Sequence, residues 1–365
     1  MSINPCIPEN LPIASLDYRK YVRLVGQANA ELARFDGLLQ TIVNPAVLLS
    51  PMSTNEAVLS SKIEGTQATL QEVLSFEAKP DIKNTKYDEI FEILNYRKAM
   101  TFAFGWLVEK RPINLSMLKQ THKILLTDVR GKDKTPGEFR TTQNWIGSHG
   151  TNIGDARFVP PSPLIIQDYL ENFEQYLVYD EVDPLIQMAI IHAQFEIIHP
   201  FNDGNGRVGR MLIPLFLFQK GMIASPMFYI SEYLEENRKR YVNELLYITD
   251  NKNWDNWVVF FLEAIMEQAK RNTKKTKAIL SLYEEMKKSV QDITRSQFTI
   301  NIVDTLFKMP IFNTADFITN SNIPKPSAGR FLNLLVNNEI LEVMEKGKGR
   351  IPNIYVFKNL YEIVK

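Results

Sequence analysis

Cysteine is almost absent. Cys6 stands alone in 365 residues, which excludes an internal disulfide framework and cannot by itself anchor a zinc site. Net charge is absent too: 42 Lys and Arg balance 42 Asp and Glu, so no global field draws the chain to nucleic acid or to an anionic membrane. The longest strongly apolar run, Met211 to Phe218, is too short to span a bilayer and is bounded by Arg210 and Lys220. The opening Met-Ser-Ile-Asn-Pro-Cys lacks the basic and apolar stretches of a secretory signal. No internal repeat or low-complexity tract is visible. These absences point to a soluble, cytoplasmic protein without a membrane partner.

What is present is core-forming material. Apolar residues make up 45% of the chain and aromatics 11%, which argues against disorder. The length fits two to three domains.

One stretch organises the rest: His199-Pro-Phe-Asn-Asp-Gly-Asn-Gly-Arg-Val-Gly-Arg210. His199 is a base candidate, and Asp203 is a hard oxygen ligand of the kind Mg²⁺ takes. Gly204-Asn205-Gly206 is a loop whose N–H groups could face an anion. Arg207 and Arg210, three apart inside a following helix, leave from one face. Before the stretch, Asp183-Pro184 reads as N-cap and first residue of an almost wholly apolar, hence central, helix. After it, Met211 to Phe218 is a second buried helix, stopped at Gly221 and open to a kink at Pro214. The loop therefore points helix N–H groups at whatever binds there.

This string resembles the signature of the Fic (Fic/Doc) family, His-x-Phe-x-(Asp/Glu)-Gly-Asn-Gly-Arg-x-x-Arg, at every specified position. The resemblance implies a mainly α Fic fold, a helical core with a β-hairpin flap, and transfer of AMP from Mg²⁺-ATP to a protein hydroxyl. On that reading His199 is the base, Asp203 holds Mg²⁺, and Gly204, Asn205, Gly206, Arg207, Val208, Gly209 and Arg210 form the nucleotide-binding segment. Arg207 would grip the β-phosphate, Arg210 the γ-phosphate, and the Asn205 side chain a phosphate oxygen. Tyr241 lies where the family often contacts adenosine.

A second stretch, Ser60-Ser-Lys-Ile-Glu64-Gly65, ends a helix from about Thr54 to Ile63. Ser60 and Glu64 share a face, and Gly65 is placed as a terminator. It is similar to the inhibitory motif (Ser/Thr)-x-x-x-Glu-(Gly/Asn) of self-restrained Fic proteins, in the class whose inhibitory helix precedes the catalytic motif. That likeness implies a Glu64–Arg210 pair, with Ser60 only helping to orient the helix.

Elsewhere the pattern predicts helices over 18–43, 69–76, 88–108, 115–126, 163–179, 231–249 and 254–269. His122 and His192 fall inside helices and receive no function. Residues 144–160 read as a β-hairpin with His149 at its tip, and the resemblance makes this flap the dock for a target protein's hydroxyl side chain. Auto-modification and a homodimer are compatible with such a site. From Ser296, three helices and a two-stranded hairpin resemble a winged helix. The expected domains are 1–110 with the inhibitory helix, 111–270 as catalytic core, and 271–365 as linker helix and winged-helix-like unit. Two further readings are a Fic-fold transferase of another phosphate-containing group and a DNA-binding regulator. Residues 286–365 carry eleven Lys/Arg and seven Asp/Glu, and the recognition-helix candidate offers little beyond Lys325 and Arg330. Few counterions would be released, so DNA is not favoured over scaffolding.

Overall fold

A computed structural model describes residues 4–81, 83–129, 133–147, 152–348 and 352–365. His149, the expected hairpin tip, lies outside them.

Two helices, Pro184–Ile198 and Asn205–Gln219, sit at the centre because they have no polar face to give to water. Asp183 caps the first through Leu185 N at 2.8 Å, with Pro184 at the position where a missing N–H costs nothing. The second runs through Pro214 without a break. Around this pair pack Val22–Gln40, Tyr87–Val108, Leu115–Leu125 and Ile166–Leu177, each burying one apolar stripe. The N-terminal arm is tied down by its own backbone. Leu11 exchanges two hydrogen bonds with the Asn172 side chain, and Cys6 N donates to Val159 O at 2.8 Å.

The helix carrying Ser60 runs Ser50–Ile63 and stops as expected. Glu64 is its C-cap, Gly65 adopts φ +102°, and Thr66 N returns to Ser61 O. Leu70–Ala78 follows behind a capping box of Thr69 and Glu72.

Three expectations differ from what is seen. The helix expected over 231–249 is two, Ser231–Glu236 and Arg238–Asn251. Asn237 breaks it, its side chain bonding the Tyr233 carbonyl as well as its backbone. The helix expected over 254–269 and the linker helix expected from 271 are one unbroken helix, Trp254–Thr294. The flap is not a two-stranded ladder. Its described part makes a single antiparallel bridge, Ile146 to Phe158. Arg157 N and Phe158 N both converge on Ile146 O, so no second rung follows. Side chains hold the stem instead, with Asn144 bonded to Phe201 O and Gln143 to Pro160 O.

Past Thr294 come Thr299–Lys308, β1 (Ile311–Asn313), Thr314–Ser321, Lys325–Asn337, β2 (Glu342–Glu345), β3 (Ile354–Val356) and Lys358–Val364. The hairpin expected from the sequence is a three-stranded antiparallel sheet of order β1-β3-β2, with Tyr355 opposite both Phe312 and Val343. β1 and the last helix were not expected, since three and seven residues carry too little periodicity to read. This unit lies against the N-terminal helices. Asn313 bonds Ala78 O at 2.6 Å, Lys79 pairs with Glu345, and Asn55 bonds Val364 O at 2.8 Å.

Candidate active site

His199 ends its helix in the left-handed region, at φ 48° and ψ 59°. That conformation is uncommon for a residue with a side chain, and a buried arginine holds it. Arg140 donates to the carbonyls of His199 (2.9 Å), Pro161 (2.5 Å) and Ile198 (3.3 Å), while its own N–H bonds Pro200 O. The loop that follows is fastened from inside. Phe201 is fully buried and stacks on His122, with centroids 3.8 Å apart. Asn205 clips the same residue, accepting from Phe201 N and donating to Phe201 O, both at 2.8 Å. Gly204, at φ +77°, caps the helix that begins at Asn205.

The buried histidines have fixed tautomers. His122 Nδ1 accepts from Gly137 N, so Nε2–H donates to Asp203 O at 2.9 Å. His192 Nδ1–H donates to Gly209 O, so Nε2 accepts from the Tyr241 hydroxyl at 2.9 Å. Burial pushes His122 down to about 4 and His192 to about 3. Neither lines the cavity. In His199, Nδ1 faces the Glu196 carbonyl at 3.3 Å, which can only accept. Nε2 therefore keeps its lone pair. Burial pushes this imidazole down to about 4, against the pull of that carbonyl.

The two arginines are both buried and both engaged. Arg207 reaches Glu92 at 3.1 Å and Asp203 at 3.3 Å. Its Nε is buried without a hydrogen-bond partner among the described residues. Arg210 donates Nε to Ser60 Oγ at 2.9 Å and Nη2 to Ser60 O at 2.8 Å and Glu64 Oε1 at 2.7 Å. Ser60 thus binds Arg210 directly, a closer part than orienting the helix. Desolvation alone would push the Glu64 carboxyl up, but the charge and hydrogen bond of Arg210 outweigh it and hold it below its usual range. The carboxylate lies so close over Gly206 that a Cβ there would come within 2.1 Å of Oε1.

These groups border one cavity of about 340 Å³. His199, Gly206, Arg210, Glu64 and Tyr241 line it; Ser60, Asp203, Gly204, Asn205, Arg207, Val208 and Gly209 stand behind them and do not. One end is polar, around Gly206 and Arg210, and the other is apolar, with Val242, Leu245 and Leu246. Tyr241 is in the wall, with its hydroxyl turned to His192. The Asn205 side chain bonds the Phe201 backbone through both of its amide atoms and does not line the cavity.

Sequence reasoning missed Arg140, Glu92 and Glu196. Glu196 lines the cavity with Oε1 buried and without a partner among the described residues. Burial raises its carboxyl to about 8, with Arg210 opposing and Glu64 adding to the rise. A lone carboxylate in an otherwise apolar helix was the available signal.

Residues 22–105 match the Fic/DOC family N-terminal region and residues 112–217 match the Fic/DOC family, together more than half of the chain. The chain belongs to the Fic/DOC family. It is 32% identical over 163 residues to a Drosophila grimshawi protein called protein adenylyltransferase Fic, and 32% over 164 residues to one of that name from Culex quinquefasciatus. Each alignment takes 44% of this chain, which spans about a third of the length of these relatives: 32% and 31%. The fold is similar along nearly the whole chain to a Fic family protein from Desulfovibrio desulfuricans G20. There the TM-score is 0.58 at 18% identity, over 97% of this chain and 98% of that one. A Fic domain containing signaling protein from Bacteroides thetaiotaomicron gives 0.55 at 18% identity, over 69% and 97%. No helix among the described residues is long and apolar enough to cross a membrane.

Proposed function

We propose that this Fic/DOC protein is an adenylyltransferase, moving AMP from Mg²⁺-ATP to a Ser, Thr or Tyr hydroxyl of a target protein or of itself, and that Glu64 restrains it. One observation carries the reading. The His199 Nε2 lone pair, the N-terminus at Gly206 and the Arg210 guanidinium border a single cavity whose lining is mainly apolar.

A nucleotide suits such a cavity, with phosphates at the polar end and adenosine against Tyr241, Val242 and Leu246. His199 is neutral at pH 7 with a pKa near 4. It takes the hydroxyl proton as the new O–P bond forms at the α-phosphorus and the bond to pyrophosphate breaks. Fixed donors stabilise the growing charge: the N–H groups at the start of the helix and Arg210 once Glu64 releases it, with the buried Arg207 adding its charge from behind. Gly206 lets the phosphates approach the backbone, as it now lets the Glu64 carboxylate approach.

Magnesium fits the residues present. Gly204 N and Arg207 both bond Asp203 Oδ1, so Oδ2 keeps its lone pairs. Among the described residues no cluster of three or more His, Cys, Asp or Glu could hold a metal. That suits an ion held by one carboxylate and substrate phosphates. When bound, it would neutralise phosphate charge.

In this reading residues 144–160 dock the target, a homodimer is compatible with it, and the protein works in the cytoplasm. Residues 1–110, 111–270 and 271–365 act as three units, the last being a winged helix used as a scaffold. The test is intact-mass measurement after incubation with Mg²⁺-ATP. Glu64→Gly protein should gain one adenylyl group, or add one to a target, and its His199→Ala counterpart should not. Failure of Glu64→Gly to consume ATP in the presence of several candidate targets would sink the proposal.

A further inference from the structure

Behind the helix Ser50–Ile63 lies a second cavity, of about 320 Å³, that no step above uses. Its walls include Ser53, Glu56, Tyr96, Met100, Pro214 and Tyr229, and Ala46 and Thr101 are exposed at its mouth. Two polar groups inside suit a ligand. Tyr229 is 8% exposed, and its hydroxyl is buried without a partner among the described residues. Glu56, also 8% exposed, accepts from Ser231 N at 3.0 Å and Ser231 Oγ at 2.6 Å, with the Ile230 backbone N–H also turned to the carboxyl. A carboxylate has about four acceptor positions, so one remains for a ligand.

The cavity touches both sides of the Glu64–Arg210 contact. Glu56, Ser60 and Glu64 follow one another at four-residue steps along one face of the helix. Tyr96 hydrogen-bonds Ser60, which in turn accepts from Arg210 Nε. Pro214 sits four residues past Arg210 and cannot donate to its carbonyl. The same two helices that the lock joins are therefore walls of the cavity.

We propose that this cavity is a regulatory site for a small uncharged molecule with an apolar body and one hydroxyl, a phenol or an alcohol, whose binding holds the lock shut. A hydroxyl suits because it accepts from Tyr229 and donates to Glu56 at once. The cavity belongs to the arrangement in which Glu64 holds Arg210, and a molecule that fits it favours that arrangement over one in which the helix has moved. The functional half of the proposal rests on the restraint by Glu64; the binding half does not.

The full chain is titrated by calorimetry with p-cresol and with toluene. Wild type should bind p-cresol saturably and about five-fold more tightly than toluene. Tyr229→Phe should erase that preference, and Met100→Trp, which fills the space, should abolish binding of both. Saturating p-cresol should slow Mg²⁺-ATP-dependent labelling of wild type at least three-fold and leave Glu64→Gly unaffected, although that variant still binds it. Three results would overturn the proposal: no saturable binding to wild type, a p-cresol preference that survives Tyr229→Phe, or equal inhibition of both proteins. If neither protein labels anything, the adenylyltransferase reading fails, and the coupling is read instead from Mg²⁺-ATP affinity, which p-cresol should weaken in wild type alone. An unchanged affinity there overturns it as well.

Discussion

At the scale of single residues, the proposed restraint turns on one guanidinium. Arg210 donates to Ser60 Oγ, Ser60 O and Glu64 Oε1 and also meets the Tyr241 hydroxyl; of these partners Glu64 lies over Gly206, where the proposal brings a phosphate. Glu64→Gly should therefore raise the rate of adenylylation at least ~10-fold, since a misplacement of about 1 Å can cost ~10²-fold. Initial rates under saturating Mg²⁺-ATP measure this. Ser60→Ala should raise it less, because the Ser60 carbonyl and Glu64 both still hold Arg210. Arg210→Ala should not activate, as it removes the clamp with the lock. His199→Ala should abolish transfer with Mg²⁺-ATP affinity largely kept, and calorimetry separates the two. Protonation gives a further check. Because His199 titrates near 4, its lone pair is present above that value and lost below it. The acid limb of kcat/KM should lie well below the ordinary imidazole value near 6.5.

At the scale of elements, the helix Ser50–Ile63 delivers Glu64 only if it ends on time. Gly65, at φ +102°, makes that ending, and a Cβ there would meet nothing within 4 Å. Gly65→Ala therefore introduces backbone strain without a clash, on the order of 1 kcal/mol. The last turn should loosen, with a Tm a few degrees lower and a rate above wild type; an unchanged rate would show that Glu64 keeps its place without the cap. Such endings were legible in the sequence. So were the Asp183-Pro184 start and the loop from His199 to Arg210, since caps, prolines and glycines act on their own neighbours. The flap was not, because its stem depends on Asn144 and Gln143 bonding distant carbonyls rather than on strand propensity. Glu92 and Arg140 were not legible either. Their partners Arg207 and His199 lie far along the chain, and nothing local marks a buried charge as paired.

At the scale of the molecule, buried titratable groups set a stability optimum. Burial raises Glu196 to about 8 and Glu56 to about 7, so between those values and the ordinary carboxyl value the folded state holds protons the unfolded state lacks. Lowering pH through 8 and 7 should stabilise the fold. His122, His192 and His199 act oppositely, at about 4, 3 and 4. Below about 6.5 the unfolded chain takes protons that the folded chain refuses, and stability falls with pH. Thermal melts between pH 4.5 and 8.5 should peak near 6.5 to 7, and a flat profile would contradict the burial of these groups. Truncation probes the same scale. The C-terminal unit touches the helix Ser50–Ile63 through Asn55 and Val364, so under the proposed restraint removing residues 295–365 should raise the rate toward that of Glu64→Gly. Far-ultraviolet circular dichroism checks that the core survives.

The long helix Trp254–Thr294 gives this layout a mechanical meaning. Its 41 residues make a rod of about 60 Å, seated at one end beneath the catalytic pair through Trp257, whose indole N–H bonds Ala189 O. A rod transmits displacement where a flexible tether would absorb it. A pull on the sheet β1-β3-β2 would therefore arrive at the core as torque about that seat, while the Asn55–Val364 contact slid or broke. Packed along its length from Trp254 to Thr294, the rod would carry load as well as position the core, and optical-trap extension from residue 365 against residue 22 should report opening of the C-terminal unit as a step below the force of global unfolding.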